Sequence, residues 1–176
     1  MQAALSGGIF GIPTTEEPIG AIVSVWTALD GEPDGPVTEV LADVATRLAD
    51  ARRVGDLPQR LTLMSGAPLE TPADGAFAVG PMKVLLDDHA LPDFDDFVDR
   101  VGRARTWGRP VAVHCVTAGE LALSLAVLTA AGARPGDRIE HGGVIPAGAI
   151  PQLRDLGLTV VTQSAFIRER GDRYAA

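Results

Sequence analysis

Lys83, His114 and His141 are the side chains of this sequence whose types and spacing best suit chemistry. Lys83 is the one lysine among fifteen Lys and Arg residues, and it lies in the stretch "GPMKVLLDDH" between Pro81, Met82, Val84, Leu85 and Leu86. Desolvation among such neighbours disfavours an ammonium ion. A neutral lysine amine can add carbon dioxide to become a carbamate, an anionic oxygen ligand able to bridge two divalent metals, while imidazoles supply nitrogen ligands. Such metals lower the pKa of a bound water and polarise a scissile carbonyl. The same neutral amine is also the nucleophile of a Schiff-base, aldolase-like enzyme. Borohydride trapping with a keto substrate separates these two chemistries, since a reduced adduct at Lys83 excludes the metal reading.

All three residues fall on predicted strands. From Gly80 onward, short apolar runs alternate with helical patterns, the signature of βα units and a parallel sheet. The runs "PMKVLL" (81–86), "VAVHCV" (111–116), "RIEHGG" (138–143) and "TVVTQS" (159–164) read as strands, and "GGIFGIPT" (7–14) and "RLTLMSG" (60–66) as two earlier ones. The run 21–29 fits a helix or a further strand. Helices are predicted over 37–52, with Val37, Val40, Leu41, Val44 and Leu48 on one face, over 93–107, with Phe94, Phe97, Val98 and Val101 together, and from Thr117 to Gly132. A shorter one over 146–157 is interrupted by Pro151. Strand alternation groups Lys83 with Pro81 and Leu85, His114 with Ala112 and Val116, and His141 with Ile139 and Gly143. It turns Cys115 away from His114, towards covering helices, and Glu140 away from His141, towards an arginine. In a barrel, inward-facing residues of successive strands converge at the carboxyl-terminal rim, where active sites lie.

The composition narrows the function classes. A net charge of −8 and a pI near 4.8 oppose a nucleic-acid-binding face, which needs clustered cations not outweighed by carboxylates. One cysteine, Cys115, excludes an internal disulfide framework and fits a reducing compartment. The apolar run from Leu121 to Ala133 is too short to span a membrane, and the opening "MQAALSGGIF" lacks the pattern of a signal peptide. A soluble, cytoplasmic protein acting on a small molecule, with no nucleic-acid or membrane partner, is the expectation.

The segments "MKVLLDD", "VAVHCV", "DRIEHGGVIP" and "VVTQSAFIRERGDRY" resemble successive segments of the amidohydrolase superfamily, especially its YtcJ-like branch. The resemblance is close from Gly80 to Tyr174 and loose from Met1 to Gly66. It implies a metal-dependent (β/α)8 barrel that hydrolyses amide or related C–N bonds, with divalent metal, zinc above all, held by Lys83 as carbamate and by His114 and His141. His89, in the loop after the Lys83 strand, and Gln163, near the end of the last predicted strand, are candidate substrate contacts. Two family features are missing: a His-x-His pair on the first strand, and an aspartate on an eighth. A complete barrel typically needs about 250 residues, against 176 here. The expectation is therefore an α/β, incomplete (β/α)8 barrel of about six parallel strands. Residues 1–176 would form a single partial domain lacking the first and last barrel strands, with little or no activity alone. Such a domain could bind no metal at all and serve as an interaction module, its open edges and apolar faces covered by a second copy or a complementing chain.

Overall fold

The computed structural model describes residues 20–24 and 36–162, with side chains from 42 onward. The element order is β1 (Gly20–Ser24), α1 (Pro36–Arg53), β2 (Arg60–Ser65), β3 (Ala78–Val84), α2 (Phe94–Thr106), β4 (Val111–Cys115), α3 (Ala118–Ala131), β5 (Arg138–His141), a 3-10 turn (Ala147–Ala149), α4 (Ile150–Asp155) and β6 (Thr159–Thr162). The fold class is α/β, and an incomplete barrel accommodates it. Of the six strands expected, five carry described side chains, β2 to β6. The sixth, at 7–14, lies outside the described residues, while β1 falls in the stretch that periodicity left open between helix and strand. No helix among the described residues is long and apolar enough to cross a membrane.

Two compact units divide the chain, Met1–Lys83 and Val84–Ala176. In the first, β1 pairs parallel with β2 in unbroken register from Gly20↔Arg60 to Ser24↔Met64, and β2 pairs parallel with β3. Its core gathers Ala45 and Ala49 of α1, Leu61 and Leu63 of β2, and Ala76 and Phe77. The expected helical stripe is thus displaced: Val44 and Leu48 are only partly buried, because the two alanines let α1 lie close over the strand. Val37, Val40 and Leu41 have no described side chains. Strand β3 begins three residues before the predicted start. Its pairing passes from Leu63↔Val79 to Ser65↔Met82, so one extra residue bulges out around Gly80 and Pro81. Proline cannot donate to a ladder, and a Cβ at Gly80 would meet Thr62 Cγ2 at 2.8 Å, so both residues suit a bulge and neither a regular strand.

Arg53, at the end of α1, donates through Nε to Asp74 Oδ2 at 2.5 Å. That hydrogen bond, then the Ala76 amide, holds the Asp74 carboxyl below its ordinary value of 3.8. The folded pKa is depressed, so the pair's small contribution to stability is present above pH 3.8 and lost as pH falls through the folded value. Arg53→Ala should move the Asp74 titration upward, as read by carbon NMR of its carboxyl group.

The second unit pairs β4, β5 and β6 in parallel without a bulge. β4 is buried on both faces at Val111, Ala112 and Val113, as expected for a parallel strand under helices. α2 packs on α3, and α3 on β4. On α2 the buried stripe is Phe97, Val101 and Ala104, while Phe94 is exposed; the stripe starts one turn later than expected because Asp93 caps the helix, accepting from the Asp95 amide at 2.9 Å. Pro151 does not interrupt α4 but occupies its first turn, where a missing N–H costs nothing.

α3 begins with a reciprocal cap. Thr117 Oγ1 accepts from the Glu120 amide at 3.2 Å, and Glu120 Oε2 accepts from the Thr117 and Val116 amides at 2.9 and 2.5 Å. Glu120 is almost fully buried, so its carboxylate satisfies donors that water cannot reach. Glu120→Ala should destabilise the protein by about 1–3 kcal/mol, measured by urea unfolding.

Candidate functional site

The parallel register sets His114 opposite Glu140 and Cys115 opposite His141. Paired residues of a parallel ladder project to the same side, and successive residues to opposite sides. The Cys115 side is the helix-covered one: Cys115 is buried, with Sγ 3.2 Å from Ser124 Oγ of α3. His114 is therefore on the other side with Glu140, whose Oε1 lies 2.5 Å from Arg138 Nε. Regular alternation would send His141 to the helices with Cys115.

It does not go there. The His141 ring lies edge-on to the His114 ring, with centroids 4.6 Å apart and planes at 69°. The cause is local backbone. His141 has φ +72°, the one positive value of a non-glycine among the described residues, and the Gly142 amide donates to Glu140 O at 3.0 Å. A hydrogen bond from residue i+2 to residue i with positive φ between them is the rarer hand of γ-turn, a backbone state that costs about 1–3 kcal/mol. The turn is closed from behind: the Gly143 amide donates to Cys115 O at 3.3 Å, and a Cβ on Gly143 would stand 2.6 Å from Val116 O. Here only glycine lets β5 come so close to the end of β4. The rule that placed Ile139, His141 and Gly143 on one face fails at this turn.

The two half-buried imidazoles offer nitrogen donors suited to zinc. Two nitrogens on one tetrahedral zinc stand roughly 3.4 Å apart, a separation that edge-on rings at this distance can reach. A catalytic zinc needs three protein ligands, however, and among the described residues no three His, Cys, Asp or Glu side chains are grouped to hold a metal. The pair fits part of a metal shell.

Three further candidates fall outside β4 and β5. Lys83 is at the end of β3 in the first unit, where it is 7% exposed between buried Met82 and Val84, so it is no lysine with its head in water. His89 is exposed in the loop after β3, its amide donating to Asp87 Oδ1 at 3.0 Å. Gln163 lies outside the described residues. Sequence reasoning passed over Glu140 as a neighbour of His114, because alternation was used to separate it from His141 rather than to pair it across to β4. It also missed the contact of Thr117 Oγ1 with Asp88 Oδ1 at 2.8 Å, which ties the loop after β3 to the end of β4. The spacing Thr-Ala-Gly-Glu was the readable sign of the cap that positions Thr117.

No protein-family model matches this chain, and no curated protein matches it. Two solved structures do. An uncharacterized metal-dependent hydrolase from Pyrococcus furiosus is similar at a TM-score of 0.58 and 17% identity, over 72% of this chain and 33% of that one. Another from Pyrococcus horikoshii OT3 is similar at 0.56 and 19%, over 74% and 36%. The likeness is one of fold. The chain spans about a third of the length of these hydrolases.

Proposed function

We propose that this chain is the part of a metal-dependent hydrolase barrel that carries imidazole ligands, and that the whole enzyme cleaves amide or related C–N bonds of a small molecule, as in the YtcJ-like amidohydrolases. The observation that carries the reading is the edge contact of His114 and His141 at the carboxyl ends of adjacent parallel strands, where a barrel keeps its chemistry. The fold likeness to proteins described as metal-dependent hydrolases supports it. In this reading His114 and His141 would hold zinc, and Lys83, as a carbamate, would supply an anionic oxygen ligand. The chemistry such a metal would supply is Lewis acidity towards water and a substrate carbonyl.

The chain's own groups then have separate tasks. His114 is fixed by β4, and its ring orientation is limited by the ring of His141. Glu140 shares the His114 face and is neutralised by Arg138, so the pair brings hydrogen-bonding capacity to the site without net charge. His89, in the loop after β3, contacts substrate, and Gln163 is a second substrate contact. Lys83, His114 and His141 are an incomplete ligand set and leave a metal loosely held, so hydrolysis by these residues alone is weak, and a second copy or a complementing chain supplies further ligands. The enzyme acts in the cytoplasm. Zinc titration of chelator-free protein, wild type against His114→Ala and His141→Ala, tests the reading; equal uptake by all three overturns it.

A further inference from the structure

We infer that the γ-turn centred on His141, clamped by Gly143 on the end of β4, is a positioning device that carries the His141 imidazole from the helix-covered side of the strands to the His114 side. The purpose of the device rests on the proposed role of the two imidazoles, but its geometry rests on backbone alone. Three observations meet there. The register pairs His141 with Cys115, whose side chain faces α3. The His141 ring nevertheless touches His114. The φ of +72° and the Gly142 to Glu140 hydrogen bond lie at the residue where the side chain changes sides.

Gly143 makes the turn hold. It sits within hydrogen-bonding distance of Cys115 O, and there is no room for a side chain against Val116 O, a backbone atom that cannot rotate away. Gly142 continues the left-handed path at φ +55°, with a Cβ there only 2.8 Å from Val160 Cγ1 of β6. His141 is thus the one residue of the turn that is strained by having a side chain. That strain is retained where an unstrained residue would have been more stable, which is the pattern of a backbone shaped for a site rather than for folding.

The experiment uses the full chain without metal. With three histidines in the chain, the ring protons can be assigned by substitution, and the cross-relaxation between the His114 and His141 rings is read by NMR. Gly143→Ala is expected to abolish or strongly weaken that signal and to weaken zinc binding about tenfold or more, with helical content retained. An undiminished ring-to-ring signal in Gly143→Ala overturns the inference.

A second comparison decides the matter if Gly143→Ala does not fold. Both His141→Gly and His141→Ala remove the ring, and at an ordinary strand position glycine is the less stable of the two. At φ +72° the order inverts. His141→Gly should melt about 2–4 °C above His141→Ala, and the reverse order overturns the inference. Both readouts are taken without metal, so they separate the two ideas. An intact γ-turn with no zinc uptake overturns the metal reading alone, while an undiminished ring-to-ring signal in Gly143→Ala, or His141→Ala melting above His141→Gly, in a protein that still binds zinc overturns the turn alone.

Discussion

Asp137→Ala should destabilise this protein by about 3–5 kcal/mol, lowering its melting temperature by roughly 6–20 °C. Asp137 is fully buried just before β5, and its carboxylate is shared among groups from three places in the second unit. Arg105, from the last turn of α2, grips it with both terminal nitrogens, Nη1 to Oδ1 at 2.7 Å and Nη2 to Oδ2 at 2.5 Å. The Val111 amide at the start of β4 donates to Oδ1 at 2.8 Å, and the Arg134 amide to Oδ2 at 2.8 Å. Its own backbone oxygen accepts from the Thr159 amide at the start of β6. The Arg105 side chain is only 8% exposed, so alanine would leave a cation and the buried Val111 amide without their acceptor. Leaving one ion of a buried pair uncompensated is what makes such a loss large. Asp137→Asn should lose less, since its carbonyl oxygen keeps one acceptor. A loss below about 1 kcal/mol in Asp137→Ala, by chemical unfolding, would rank the pair with exposed ion pairs and refute the expectation. The knot lies at the amino-terminal ends of β4 and β5, away from His114 and His141, where a barrel keeps its stability rather than its chemistry.

If His114 and His141 are ligands as proposed, His114→Ala and His141→Ala should each weaken zinc binding by more than the roughly 10–100-fold that follows removal of an outer-shell partner, because each would delete a donor atom itself. The doubly substituted chain should bind little more weakly than either single variant. If both imidazoles hold one ion, loss of the first already removes the geometry on which the second depends, and the two effects do not add. Calorimetric titration of the four proteins near neutral pH measures this. Fully additive losses would mean that the rings bind separate ions, and unchanged binding would mean that they bind none. His89→Ala is the control, since His89 is exposed in a different loop and should leave zinc affinity as it was.

Much of the local structure is legible in the residues. The βα alternation, the helix from Thr117 to Gly132, and the strands carrying His114 and His141 follow from apolar periodicity and from residues that start and stop elements, and α3 runs from Ala118 to Ala131 between those two caps. These features depend on interactions within a few residues, which a linear pattern records directly. The same holds for Cys115, which alternation turns to the helices, where Ser124 meets it.

What periodicity could not reach are the places where the chain departs from its own period. The bulge at Gly80 and Pro81 adds a residue to β3 and shifts the alternation by which Lys83 had been assigned a face. The γ-turn at His141 reverses a side chain within a single residue, and its existence depends on Val116 O standing where a Cβ of residue 143 would be. Alternation is a property of regular backbone alone, so it can name the three residues worth watching but cannot say which of them meet. The chain's residue types declare imidazole and amine chemistry; the approach of two strand ends, a contact between residues 27 positions apart, is what sets one imidazole against the other.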